Sequence, residues 1–194
     1  MARRFAALLR LICLLGLVAG ASGCATTVIP AYAPSVGNAD AAGKLAGSVA
    51  VGKFGFEKGR EAELNSVGAR ASTFSSPTNG SYADYFADAA QKELRQGGKF
   101  DATAPRVLTG VLLVNHLNAG GTQANESSLR VRFRLALGDS ALYEKTVEAR
   151  NTWESSFMGA IAIPLAMSNY IATIQKLYGN LFSDPEFLRA TGSK

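Results

Sequence analysis

The most regular pattern of hydrophobic and polar residues lies between positions 129 and 137. Apolar residues alternate there with arginines and one alanine, in the order Leu129, Arg130, Val131, Arg132, Phe133, Arg134, Leu135, Ala136, Leu137. A period of two residues is typical of a strand that buries one face. The preceding stretch at 106–115, RVLTGVLLVN, is apolar almost throughout and predicts a central strand.

A hairpin is expected directly after the alternating strand. Residues 138–140, Gly-Asp-Ser, suit a three-residue loop, and a further strand follows. In that register Arg134 lies opposite Glu144, and Arg130 lies opposite Glu148. Cross-strand pairs of opposite charge contribute about 0.2–1 kcal/mol each. Arg130, Arg132 and Arg134 lie on one face of the strand, and we call them the arginine row. This row has two interpretations: a solvated, partly neutralised sheet face, or a site for an anion or a lipid headgroup.

Two other stretches have the periodicity of amphipathic helices. The first begins after Ser81, which matches a loose capping box with Asp84. It ends at the two glycines 97–98, which suit a helix C-cap. The second contains Pro164, which suits a first helical turn, and continues as an apolar stripe formed by Met167, Tyr170, Ile171, Ile174, Leu177, Tyr178, Leu181 and Phe182. We expect both helices to pack against the sheet.

The order of these elements predicts the fold class. A strand at 47–56, GSVAVGKFGF, precedes the first helix, so the order is strand, loop, helix, strand, hairpin, helix. Such an order is typical of an α+β layer. We expect a single domain over residues 47–190, with a mostly antiparallel sheet of about four to five strands and two helices packed on one face.

The first 23 residues have the pattern of an export signal. Arg3 and Arg4 give a positive start, residues 5–18 are largely apolar, and residues 19–23 are all small. A spanning helix needs roughly 20 apolar residues, and Arg10 shortens this run further. We therefore interpret residues 1–23 as a cleaved secretory signal and not as a membrane span.

The end of this signal, Ala21-Ser22-Gly23-Cys24, resembles the lipobox of bacterial lipoproteins. The resemblance implies that diacylglycerol is joined to the Cys24 thiol, that cleavage occurs just before this residue, and that the new amino terminus is acylated. Two or more acyl chains give stable anchoring. Ala25, where an Asp would signal inner-membrane retention, implies the outer membrane of a Gram-negative bacterium. The alternative is an ordinary signal peptide with a chance cysteine.

The stretch after the cysteine has no hydrophobic periodicity. Residues 25–46 are rich in Ala, Thr, Pro and Gly, a composition that favours an irregular linker. We therefore expect residues 24–46 to form a lipidated cysteine followed by a flexible tether, which lifts the domain off the bilayer.

Removal of the signal changes the charge of the chain. The full sequence has 20 Lys and Arg against 15 Asp and Glu. Arg3, Arg4 and Arg10 leave with the signal, so 17 basic residues and a net charge of +2 remain. Nucleic-acid binding requires a concentrated basic face, and this weak excess gives it little support. The remaining 171 residues suit about one domain.

Few residues of the sequence suggest a catalytic or metal-binding site. His116 is the single histidine, so the usual His-rich metal site cannot be built around it. The sequence has no Gly-x-Ser-x-Gly nucleophile elbow. We therefore expect no enzymatic activity, no cofactor and no metal.

An unusually apolar stretch, SSFMGAIAIPLAM, covers residues 155–167. Phe157, Met158, Ile161 and Ile163 either complete the core or form an exposed patch that contacts a partner or a lipid surface.

Several segments together resemble the YajG-like lipoproteins and, more loosely, the auxiliary lipoproteins of envelope ABC transport systems. Besides the lipobox these are YADYFADAAQKELRQGGKF, PRVLTGVLLV, LRVRFRLALGDSALYEKTV and LYGNLFSDPEFLRA. The resemblance implies an outer-membrane lipoprotein that faces the periplasm, and it supplies no catalytic residues. We expect a lipid-anchored, non-enzymatic domain that binds another envelope protein. The alternative is an auxiliary lipoprotein of a lipid or ABC-type transport system that contacts lipid directly.

Overall fold

The computed structural model describes residues 26–70, 72–120 and 124–192. These residues form seven strands and five helices, in the order β1 (Thr26–Val28), α1 (Val36–Gly43), β2 (Ala50–Phe56), α2 (Glu61–Leu64), β3 (Val67–Ala69), β4 (Ser72–Ser75), α3 (Tyr82–Gln96), β5 (Arg106–Asn118), β6 (Ala124–Leu137), β7 (Ser140–Glu154), α4 (Gly159–Phe182) and α5 (Pro185–Gly192). The predicted α+β class is confirmed.

The main sheet has four strands in the order β2-β5-β6-β7. The β5–β6 and β6–β7 pairs are antiparallel, and β2 pairs with β5 in parallel. The sheet is therefore mostly antiparallel, as predicted. The apolar positions of the alternating strand β6 are buried against the helices, namely Leu129, Val131, Phe133 and Leu135.

The predicted charge pairs of the hairpin are confirmed, but its loop is shorter than expected. Arg134 pairs with Glu144 and Arg130 with Glu148. Leu137 lies opposite Ser140, so the loop contains two residues and not three. Leu142 has no partner in β6 because the register shifts at this point. This single extra residue in β7 compensates for the shorter loop and restores the expected pairs.

Helices α3 and α4 pack on the inner face of the sheet. Helix α3 begins as predicted, because the Ser81 hydroxyl accepts a hydrogen bond from the backbone N–H of Asp84 at 3.2 Å. It ends at Gly97, and Gly98 has a left-handed φ of 69°. The Tyr178 hydroxyl donates to the Phe86 carbonyl at 2.5 Å and joins the two helices.

The start of α4 differs from the prediction. The helix begins at Gly159, so Pro164 lies inside it and not in its first turn. Proline has no N–H, so the Ala160 carbonyl lacks its usual helical partner. Ala162 and Ala166 are buried on the inner side of this early part.

The tether expected over 24–46 is wrong for residues 26–46. Strand β1 pairs in parallel with β4 in a second sheet of order β1-β4-β3. Four side chains of this segment are almost fully buried in the core, namely Ile29, Tyr32, Ala42 and Leu45. Ile29 and Tyr32 lie in the irregular stretch before α1, Ala42 lies in α1, and Leu45 lies in the turn after it. The sequence therefore shows neither a helical nor a strand period. The domain therefore begins at or before Thr26 and not at residue 47.

Candidate functional site

An apolar surface lies at the start of α4. Phe157, Met158 and Ile161 are 85%, 60% and 52% exposed, and we call these three residues the apolar patch. Ile163 is half-buried and packs against the core. The sequence alone did not decide whether these four residues lie in the core or at the surface. The structure places three at the surface and the fourth at the edge of the core.

The segment that carries the apolar patch is held by an arginine of the small sheet. Arg70 lies in the turn between β3 and β4 with a left-handed φ of 55°. One guanidinium nitrogen donates to the Phe157 carbonyl at 3.0 Å, and the other donates to the Ser156 carbonyl. These charge-assisted bonds fix the chain just before α4. Sequence reasoning missed Arg70, because the contact joins residues 87 positions apart.

The described chain begins at the same end of the molecule. Thr26 pairs with Thr73 in β4, and Thr73 pairs with Gly68 across the hairpin whose turn contains Arg70. Thr26 therefore lies at the end of the small sheet that carries the Arg70 turn, and Arg70 in turn contacts the segment that carries the apolar patch. Cys24, the predicted lipidation site, lies outside the described residues. It precedes Thr26 by two positions, a separation of about 7 Å in an extended chain.

A buried carboxylate holds the segment that follows β1. Glu93 on α3 is fully buried. Its Oε1 accepts hydrogen bonds from the Tyr32 hydroxyl at 2.5 Å, the Asn38 side-chain amide at 2.8 Å and the Ser35 backbone N–H at 3.3 Å. The Asn38 amide also donates to the Gln175 carbonyl of α4 at 2.8 Å.

Burial raises the pKa of the Glu93 carboxyl, and the hydrogen bonds that it accepts offset this rise only in part. Burial and the adjacent Glu93 likewise raise the pKa of the Tyr32 hydroxyl. Sequence reasoning missed Glu93, although a signal was present. Glu93 follows Ala89 and Ala90 at helical spacing and so lies on the buried face of α3.

The outer face of the main sheet carries the arginine row. Arg130 and Glu148 form an ion pair at 2.7 Å, and Arg134 and Glu144 form one at 3.5 Å. Arg132 lies opposite Thr146 and has no ion-pair partner within the described residues. The neutralised-face interpretation therefore fits Arg130 and Arg134, whereas Arg132 adds one cation to this face that forms no direct ion pair within the described residues.

The remaining features that could indicate a catalytic, metal-binding or membrane-spanning role are few in the described residues. His116 is exposed near the end of β5, opposite Ser128. Across residues 26–70, 72–120 and 124–192, no group of three or more His, Cys, Asp or Glu side chains could hold a metal ion. Of the helices in the described ranges, none has the length and apolar character to cross a membrane.

Comparisons with known proteins show resemblance at the level of structure. No family model matches the chain, and no curated protein matches it. Protein XCC0632 from Xanthomonas campestris, of the DUF330 family model, has a similar structure with a TM-score of 0.56 and 11% sequence identity. The match covers 80% of this chain and 91% of that one. At this identity the likeness shows a shared fold alone.

Two other solved structures are less similar. A candidate lipoprotein from Caulobacter crescentus CB15 matches with a TM-score of 0.45 and 12% identity, covering 82% of this chain and 99% of that one. The PelC dodecamer from Paraburkholderia phytofirmans matches with a TM-score of 0.37 and 17% identity, covering 79% and 94%. The resemblance to YajG-like lipoproteins remains a prediction from the sequence.

Proposed function

We propose that this chain is a lipid-anchored, non-enzymatic lipoprotein of the outer membrane, whose periplasmic domain binds another envelope protein. The observation that carries the proposal is the lipobox ending in Cys24, directly after a signal sequence. A diacylglyceryl thioether and an N-acyl chain together exceed the single acyl chain that binds a membrane only marginally. The folded domain begins close to this attachment point, since β1 starts at Thr26.

The outer face of the main sheet is the surface that we assign to the partner. Arg132 presents a cation there between two arginines that are already paired with glutamates. The residues directly opposite it are Val111 and Thr146, neither of which can form an ion pair with it, and the diagonal Glu144 and Glu148 are already paired with the flanking arginines. An acidic group on a partner protein would pair with Arg132, and such complementarity favours specificity and rapid association.

Metabolic labelling tests the anchor. Cells that express the chain are fed a palmitate analogue, and the purified protein is assayed for the label. We expect the wild type to carry the label and a Cys24→Ser variant to lack it. An unlabelled wild type, or equal labelling of both proteins, would contradict the anchoring.

Site-specific photo-cross-linking in cells tests the partner surface. A cross-linking residue at Thr146, beside Arg132, should give one discrete adduct with an envelope protein. The additional change Arg132→Glu should reduce that adduct several-fold, because it replaces the attracting cation with an anion. A cross-linker at Val36, which is also exposed, is the matched control and should give no such adduct. An adduct insensitive to Arg132→Glu would remove this face from the proposal.

A second candidate is an auxiliary lipoprotein of an envelope lipid or ABC-type transport system. The exposure of Phe157, Met158 and Ile161 favours it, because exposed apolar residues of this size suit contact with acyl chains. Mass spectrometry of the purified protein separates the two candidates. Non-covalently bound phospholipid at a fixed ratio to protein would support the transport role, and its absence would count against it.

A further inference from the structure

The location of the apolar patch in the fold, and not only its exposure, distinguishes it from other exposed apolar residues. Val36 is 72% exposed, yet it lies far from the patch. Its neighbour Asn38 contacts Gln175, which follows Gly159 by sixteen residues in α4. That separation is about 24 Å along the helix axis. The apolar patch, by contrast, lies beside Arg70 at the end of the small sheet where the described chain begins. Val28, which is 59% exposed, is also close to this end, two residues after Thr26.

The connection to the predicted anchor is short. The segment expected to lift the domain away from the bilayer is packed into the fold from residue 26 onward. One residue, Ala25, separates β1 from Cys24, so the Cα atoms of Thr26 and Cys24 lie at most about 7 Å apart. A thiol embedded at a lipid surface would therefore hold this end of the domain against that surface.

We propose that the apolar patch inserts into the phospholipid leaflet that holds the Cys24 anchor, and that it fixes one orientation of the domain on the membrane. The inference rests on the proposed lipidation of Cys24. It deepens that function, because it names the surface that faces the lipid, and that surface contains none of the residues of the arginine row.

The size of the patch favours a membrane over a protein as its occupant. A stable protein interface buries about 800 Å² on each side, and three side chains supply no more than part of that area. Insertion beside a covalent anchor requires much less. Because the lipid already holds the domain at the surface, docking is intramolecular and benefits from a high effective concentration. The exposed guanidinium of Arg70 lies beside the patch, where a cation is attracted to anionic headgroups.

Fluorescence quenching by brominated lipid tests the inference on the mature, lipidated protein. The reporter is an environment-sensitive dye on Met158→Cys, and the matched control is the same dye on Val36→Cys. The lipidated Cys24 thiol is consumed in its thioether, so the introduced cysteine alone takes the dye. Each protein is reconstituted into vesicles of phosphatidylethanolamine and phosphatidylglycerol, with or without brominated chains.

We expect brominated lipid to quench the reporter at position 158 several-fold more than the reporter at position 36. The change Phe157→Asp should reduce quenching at position 158, whereas Val36→Asp should leave it unchanged. Equal quenching at both positions, or none at position 158, would overturn the inference. Shielding of the 158 reporter in lipid-free detergent that grows with protein concentration would assign the patch to a second copy and would also overturn it.

The mass of the reconstituted protein separates the two levels of the proposal. A mature chain without acyl groups would contradict the proposed function itself. An acylated chain whose position 158 is not quenched would contradict the membrane contact alone and leave the anchoring intact.

Discussion

Two segments of this molecule differ in where their apolar side chains lie. Residues 26–46 are rich in small residues and have little periodicity, yet four of their side chains are buried in the core, namely Ile29, Tyr32, Ala42 and Leu45. Residues 157–163 are far more apolar, yet Phe157, Met158 and Ile161 are exposed. Hydrophobicity along the sequence does not decide which of the two becomes core.

The difference arises from the surfaces that each segment meets. The N-terminal segment finds a strand partner in β4, a groove between α3 and α4, and the oxygen of Glu93. At the start of α4 Phe157, Met158 and Ile161 remain exposed, and Arg70 holds the chain just before the helix through two hydrogen bonds. One segment is therefore stabilised by tertiary contacts, and the other is left available for an external surface.

The largest effect is expected from cavity formation under the N-terminal segment. Leu45 is 1% exposed, so Leu45→Ala should lower the free energy of unfolding by about 2–5 kcal/mol. The control Val36→Ala, on an exposed residue, should change it by less than about 0.5 kcal/mol. Urea denaturation of both variants measures the difference. Equal and small losses would mean that this segment does not belong to the cooperative fold.

A side chain added at the contact between α3 and α1 should weaken the packing of α1. A Cβ on Gly97 would lie 2.8 Å from the Ala39 carbonyl oxygen, whereas a Cβ on Gly37 would meet nothing within 4 Å. Gly97→Ala should therefore destabilise the protein by about 1–3 kcal/mol. Gly37→Ala, inside α1, should stabilise it by about 0.5–1 kcal/mol. Thermal unfolding of the pair checks this, and the same sign for both variants would refute the close packing of α1 on α3.

The buried Glu93 should make stability depend on pH. Burial raises the pKa of this carboxyl in the folded state. The folded protein therefore binds more protons than the unfolded chain once the pH passes the ordinary pKa of a glutamate, about 4.3. Stability is then lost as the pH rises from that value through the folded pKa. The free energy of unfolding of wild type minus that of Glu93→Gln should fall over this range. A difference that rises with pH would contradict the burial of the charge.

The smallest effect on stability is expected at the apolar patch. Ile161→Asp replaces an exposed side chain, so the free energy of unfolding should change by no more than about 0.5 kcal/mol. Quenching of the 158 reporter by brominated lipid should nevertheless decrease, because a charge opposes insertion. A large loss of stability would show that Ile161 belongs to the core and not to a contact surface.

The sequence predicted the hairpin well because two independent signals agreed. Alternation placed Leu129 to Leu137 in a strand, and the glutamates of the next strand matched its arginines. The loop length was wrong, yet the pairs Arg134–Glu144 and Arg130–Glu148 formed because Leu142 adds one unpaired residue to β7. Charge complementarity predicted the register better than the turn residues did.

The N-terminal segment could not be predicted in the same way. Its buried hydrophobic side chains come from the irregular stretch between β1 and α1, from α1 and from the turn after it, so no window of the sequence shows a regular period. Glu93 offered a partial signal, since a carboxylate on a buried helix face needs donors. Nothing in the sequence around Glu93 indicates that these donors are Tyr32, Ser35 and Asn38, some sixty positions away.

Native-state hydrogen exchange of the Ile29 amide tests most directly whether the domain begins beside the anchor without a tether. This N–H donates to the Ser75 carbonyl at 3.0 Å, and the Ile29 side chain is buried. The structure predicts strong protection at Ile29, comparable with that of the neighbouring β4 amides. Exchange at the rate of an unstructured peptide would contradict the packing of this segment and, with it, the placement of the apolar patch at the membrane.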